Sequence, residues 1–395
     1  MTRVLLVCPE PLGHRQPAGV GIRFIEMAKV LTADGHHVTT LSPDDGGLAP
    51  EIIARATEEY DVVVVQGHAA NALFAHGKPL PTVVDLYDPF IVENLHYYGE
   101  RGAEVFHHDH ATLISSLARG DFFLCASDAQ RLFYLGLLLG VGRLSPPIFE
   151  SDPHLDSLIR VAPFGVQAPR VAPAIPPAVT HDLLFGGIYD WYDPILAIDA
   201  VAIAREQIGD INLTFMQHPN PDLTPQGKAA EALEYVTKRG YKDFVHFENW
   251  VAYDDRGEFY ERFASSLLTF RQSIETDLSM RTRVFDSLWG NLPIITSSAP
   301  GTDEILARYG AGIVIEVDDA PAFARAIVGL LHNEQRLCEM REGAIRFVVD
   351  HQWSRVLEPL REFCMQPRVV KEKDAFAVRP PSMLDRLKRR IGGAF

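Results

Sequence analysis

Short runs of consecutive apolar residues recur along the chain between stretches of helical period. In the first half they fall at 4–8, 38–41, 62–66, 83–86, 122–126 and 159–162. Apolar runs that do not alternate with polar residues mark strands covered on both faces, as in a parallel sheet flanked by helices. A proline-bearing stretch interrupts the rhythm: Pro163-Phe164-Gly165-Val166-Gln167-Ala168-Pro169, then Pro173, Pro176 and Pro177. The pattern restarts at 183–185 and continues at 213–216, 245–247, 267–270, 294–296 and 313–315. It predicts an α/β protein of two doubly wound domains, 1–165 and 166–365, joined by a linker and followed by a tail, 366–395. Open parallel sheets bind ligands beyond the carboxyl ends of their strands, so the site is expected in a cleft between the two halves.

Composition narrows the partners. The 395 residues are 47% apolar and 23% charged, enough for two cores. A net charge of -15 with no long basic stripe argues against nucleic acid. Cys8, Cys125, Cys338 and Cys364 lack C-x-x-C spacing, so neither a zinc site nor a disulfide framework is expected and a reducing cytoplasm fits. The first residues enter directly as a strand, so no signal peptide is expected. The most apolar window, 132–141, falls short of the ~20 residues a membrane helix needs. In the tail, Met383, Leu384, Leu387 and Ile391 share one helical face ringed by Arg386, Lys388, Arg389 and Arg390. Such a segment suits docking on its own domain, or peripheral contact with an anionic membrane from the cytoplasmic side.

Candidate chemistry concentrates after the run at 267–270, where Arg271, Glu275, Asp277, Ser279, Arg281 and Arg283 lead into a helix. A helix start offers unpaired N–H groups and the positive end of its dipole to phosphate, arginines strengthen that hold, and carboxylates suit sugar hydroxyls. A surface helix capped by Ser279 and carrying solvated charges is the plain alternative. The doublet Gly186-Gly187 after a strand would let backbone approach a phosphate, and Gly19-Val20-Gly21 before a helix would do the same from the other half. His14 lies on that first loop, and Asp85 and Asp88 follow a strand end, where they would orient an acceptor hydroxyl or serve as turn acids. The cluster His107, His108, Asp109 and His110 splays around a helix and is not read as a metal site.

Four landmarks in order, Ala18-Gly19-Val20-Gly21, Arg160 to Val166, Leu184-Phe185-Gly186-Gly187 and Asp286 to Pro293, resemble the retaining GT-B glycosyltransferases over roughly residues 3–365. The resemblance implies two Rossmann-like domains, a nucleoside-diphosphate sugar donor held by the second, and an acceptor on the first. It gives Asp286 the role of ribose ligand, and it aligns Trp250 and Val251 with the stretch against which relatives lay the base. The carboxylate that relatives set eight positions upstream, on the donor sugar, is Leu278 here, leaving Glu275 and then Asp277 as substitutes. The arginine and lysine that many relatives carry after the glycine doublet are missing, since Gly187 continues as Ile188-Tyr189-Asp190-Trp191-Tyr192-Asp193. A departing diphosphate still needs cations, which leaves Arg281, Arg283 and Arg271.

The expectation is a retaining glycosyltransferase that moves a sugar from a nucleoside diphosphate to a hydroxyl of a carbohydrate, lipid-linked or small-molecule acceptor, without cofactor or metal, in the making of glycans, cell-surface polysaccharide or glycosylated metabolites. A silent nucleotide-sugar-binding partner protein, or a same-fold epimerase or phosphorylase, are the alternatives.

Overall fold

The computed structural model describes residues 1–13, 17–169, 180–217, 226–370 and 373. His14, the prolines at 173, 176 and 177, and the tail segment 383–391 lie outside the described residues. Two six-stranded sheets form the frame, and every strand pairing in them is parallel. The first contains β1 (Arg3–Val7), β2 (His37–Leu41), β3 (Val62–Gln66), β4 (Thr82–Asp85), β5 (Phe122–Cys125) and β6 (Ile159–Val161), in the order β2-β1-β3-β4-β5-β6. The second contains β7 (Leu183–Gly187), β8 (Leu213–Met216), β9 (Val245–Glu248), β10 (Ser265–Leu268), β11 (Ile294–Ser297) and β12 (Gly312–Ile315), ordered β12-β11-β10-β7-β8-β9.

Each apolar run is a strand because both of its faces are covered: Val62 to Val65 and Leu213 to Met216 are buried throughout. In the second sheet the order reverses between β7 and β10, so the crevice favoured for ligands lies beyond the ends of those two strands. Gly186 and Gly187 sit there. They form the end of β7 and not a free turn, with a register irregularity between Phe185 and Gly187.

The linker is clamped. Arg23, fully buried, donates to the carbonyls of Ala162 (2.9 Å) and Pro163 (2.8 Å). Phe164 packs edge-on to Trp353 at 4.7 Å and to Phe285 at 6.1 Å. Gly165 is required by that packing, since a Cβ there would come within 2.4 Å of the Trp353 ring. The Glu358–Met365 helix, counted with the second half by chain order, packs on the first sheet. Phe363 stacks on Phe122 at 5.1 Å, Thr2 Oγ1 donates to the Cys364 carbonyl, and Arg361 forks onto Asp34. All four cysteines are unpaired. Among the described residues no helix is long and apolar enough to cross a membrane.

Candidate functional site

The segment after β10 carries two helix starts. Ser273 caps Ile274–Leu278, its Oγ accepting from the Thr276 N–H at 3.3 Å. The chain then turns through Ser279, Met280 and Arg281, and a second helix runs over Thr282–Trp289 with Arg281 at its N-cap and no side chain capping it. The Ser279 cap of the plain alternative is therefore not made. Its hydroxyl donates instead to Glu93 Oε1 at 3.3 Å, across the cleft. The break aims the Thr282 end at the other lobe. There the Tyr87 hydroxyl donates to the Met280 carbonyl (3.2 Å), Gln130 Nε2 donates to the Leu278 carbonyl (2.9 Å), and the Thr282 methyl lies 3.4 Å from where a Cβ on Gly19 would stand.

A cavity of about 220 Å³ opens at this junction. Glu10, Gly19, Tyr87, Asp88 and Glu93 line it from the first lobe, and Tyr189, Trp191, Tyr192, Ser279, Arg281 and Thr282 from the second. The rings of Tyr189 and Trp191 are stacked, with centroids 4.8 Å apart and planes 7° from parallel. This is the face an anionic, sugar-bearing ligand would meet: an uncapped helix start, flat rings and hydroxyl-seeking acids.

The arginines of the second lobe are already engaged. Arg281 forks onto Glu275, Nη1 to Oε1 at 2.6 Å and Nη2 to Oε2 at 2.7 Å, with both residues at or below 4% exposure. Both oxygens of Glu275 are thus taken by Arg281. Arg283 donates through Nη1 to Asp286 Oδ2 (2.7 Å), and Arg256 donates to the same oxygen (2.8 Å), so one oxygen of the expected ribose ligand serves two guanidiniums. The ring of Trp250 faces both guanidiniums, 4.5 Å from Arg256 and 4.9 Å from Arg283. Val251 offers its carbonyl to Arg256 Nε at 3.4 Å.

Three cavity-lining acids of the first lobe, Glu10, Asp88 and Glu93, form no such ion pair among the described residues. Burial pushes the Asp88 carboxyl up to about 6, and Asp85 and Glu275 nearby push the same way, against a hydrogen bond from Glu93. Burial raises Glu93 well above the usual carboxylate range, reinforced by Asp88 and Glu275. Glu10, whose Oε2 accepts the Gly21 N–H at 2.8 Å, is raised to about 7, again chiefly by burial. That hydrogen bond removes the Gly21 amide from the set expected to meet phosphate.

The remaining expected residues divide clearly. Asp88, Gly19, Ser279 and Arg281 line the cavity. Asp85 does not face the cleft, because it is buried in a fork with Arg23 (2.7 and 3.1 Å). Arg271 is outside it too, with 73% of its side chain exposed and its Nε on Asp193 at 3.2 Å. Asp277 is exposed on the outer side of its short helix. Glu10, Glu93 and Arg256 were not anticipated. Glu10 follows the end of β1 as Asp88 follows β4, and that shared position was the available signal; Glu93 and Arg256 carry no local sign.

Residues 183–333 match the family model of the glycosyl transferases group 1. The whole fold is that of GT-B glycosyltransferases. It superposes on HepE of Anabaena, solved with UDP and glucose, with a TM-score of 0.66 at 14% identity over 93% of this chain and 100% of that one. Against sucrose-phosphate synthase of Thermosynechococcus elongatus the TM-score is 0.65 at 13% identity, over 93% of this chain and 99% of that one. WaaG, a glycosyltransferase involved in lipopolysaccharide biosynthesis, gives 0.63 at 15% identity, over 92% and 100%. No curated protein matches the chain.

Proposed function

We infer that the protein transfers a sugar from a nucleoside diphosphate to an acceptor hydroxyl, with retention at the anomeric carbon. The observation that carries this reading is the uncapped start of the Thr282–Trp289 helix facing the Gly19 loop across the cavity, within a lobe of the glycosyl transferases group 1. A helix start of that kind stabilises a departing diphosphate without rearranging, and the acids opposite suit hydroxyls of the sugar or acceptor. HepE, solved with UDP and glucose, supports a nucleotide sugar as the donor class. Retention rests on the resemblance to the retaining family.

In this reading the leaving diphosphate takes the acceptor proton on the face it leaves, so the chain supplies orientation and charge and needs neither metal nor cofactor. Acceptors are carbohydrate, lipid-linked or small hydroxyl compounds, met at the cytoplasmic side. The test is release of nucleoside diphosphate from a panel of donors, with and without acceptors and with a chelator present. Turnover that needs an acceptor and survives chelation supports the reading. A second reading, a silent nucleotide-sugar-binding partner, is favoured by one observation: both Nη atoms of Arg281 are engaged with Glu275. Tight donor binding without turnover would select it.

A further inference from the structure

The sequence cluster His107 to His110 reaches the acceptor-side acids through one buried residue. Asp109, 2% exposed, lies on the inner face of the Ala103–Arg119 helix and accepts from two directions. His68 Nε2 lies 3.0 Å from its Oδ1, and Asn94 Nδ2 donates to its Oδ2 at 2.7 Å. The other ring nitrogen of His68, Nδ1, is 3.4 Å from Thr112 Oγ1, which itself accepts from Asn71 Nδ2 at 2.8 Å. The Thr112 hydroxyl is therefore free to donate to Nδ1, which leaves the ring proton on Nε2, facing Asp109. Near neutral pH the ring is uncharged. Burial holds it below the ordinary imidazole range although Asp109 pulls the other way, and the parallel ring of His108, 4.9 Å off, disfavours a charge.

These bonds converge on a segment too short to hold itself. Asp88 and Glu93 both line the cavity, and the Phe90–Glu93 helix that carries the second of them has four residues, far below the roughly 12–15 at which a helix stands alone. His68 packs against the Phe90 ring at 5.4 Å, and Asn94, which follows Glu93, is the residue tied to Asp109. The short helix is thus pinned at its first residue and just past its last. Held this way, the Glu93 carboxyl meets the Ser279 hydroxyl of the other lobe at 3.3 Å. Apolar side chains of similar size often replace buried charged groups at little cost in stability, so what Asp109 brings is direction more than strength.

We propose that Asp109 is a positioning residue for the acceptor. With His68 it fixes the segment from Phe90 to Asn94, and so sets where Asp88 and Glu93, in either protonation state, present their carboxyls to an acceptor hydroxyl. The proposal rests on the transferase reading above and adds to it a residue that does not itself line the cavity.

The test uses the full chain, with backbone hydrogen–deuterium exchange measured first and turnover second, the latter over the panel of nucleotide sugars with methyl α-glucoside and methyl α-mannoside as probe hydroxyl compounds. Asp109→Leu removes both bonds. Asp109→Asn keeps them once the Asn94 amide turns over, so that its oxygen takes the new N–H. Asp109→Leu should keep the wild-type thermal midpoint, raise exchange in residues 90–97 about tenfold, and raise the KM of the hydroxyl compound about fivefold with kcat less affected. Asp109→Asn should recover both readouts, and Asn94→Ala, which leaves Asp109 in place, should reproduce both changes. A purely structural carboxyl would lower the midpoint and leave KM where it was. Wild-type exchange in Asp109→Leu, or a raised KM that Asp109→Asn fails to restore, overturns the positioning role while the transferase reading stands. Absence of turnover with every donor ends that reading and the acceptor role with it, and the exchange then decides only whether the segment is pinned.

Discussion

The two walls of the cleft carry opposite charges and treat them differently. On the second lobe the arginines are fitted with carboxylates before any ligand arrives: Arg281 with Glu275, and Arg283 with Asp286. On the first lobe Glu10, Asp88 and Glu93 form no ion pair with a cation among the described residues, and burial makes their carboxyls hold protons more tightly. In the proposed reading the second lobe is preset for an anion, with Arg281 held by Glu275 and with Arg256 and Arg283 sharing Asp286. The first lobe is adjustable, able to donate or accept hydrogen bonds near neutral pH, which suits hydroxyls of varied orientation.

The sharpest way to break this contrast is at Arg281. Arg281→Ala strands Glu275 in the interior, and a loss of about 3–5 kcal/mol in unfolding free energy is expected by denaturant titration. The double change with Glu275→Gln should recover much of it; a single variant as stable as the wild type would mean the pair is not preset. Gly186→Ala comes next. Its methyl would collide with Arg283 Cδ, costing about 1–3 kcal/mol in the same measurement, whereas relief by Arg283→Ala in the double variant would tie the cost to that contact.

On the adjustable side, Asp88→Asn should raise the acceptor KM about tenfold and leave acceptor-independent donor hydrolysis unchanged. An equal loss in both would move Asp88 to the donor. The last effect is one of pH. Because burial raises Glu10 from 4.5 to about 7, the folded protein keeps a proton that the unfolded chain releases, so this group's contribution is fully present below pH 4.5 and lost as pH rises through 7. Relative to Glu10→Gln, the wild type should lose on the order of 3 kcal/mol between pH 4.5 and 8. Parallel stability curves for the two proteins would show that the first wall is not strained by its acids.

Much of the frame was legible because burial on both faces writes a continuous apolar run, as at 62–66 and 213–216, and the prolines at 163 and 169 mark where it stops. Strand ends were less so: the run at 267–270 is displaced by two residues from Ser265–Leu268, since Phe270 is buried beyond the strand in a bridge with Tyr192. Asp88, Ser279 and Arg281, which line the cavity, were expected from their positions next to element ends. What stayed hidden is pairing between distant positions. Nothing near Arg256 or Asp286 announces that thirty residues apart in sequence they meet at 2.8 Å. Asp85 misled because a strand-end acid looks the same whether it faces a cleft or an internal arginine.

Among the described residues the backbone crosses between the lobes twice, and the crossings touch. Val166 N–H donates to the His351 carbonyl at 2.8 Å, and Trp353 N–H donates to the Val166 carbonyl at 3.2 Å. Two strands fastened side by side act like a door hung on one pin: they permit swinging about a common axis and resist twisting or sliding apart. Lobes that opened about such a pin would bring the Thr282 end and the Gly19 loop back to the same facing positions.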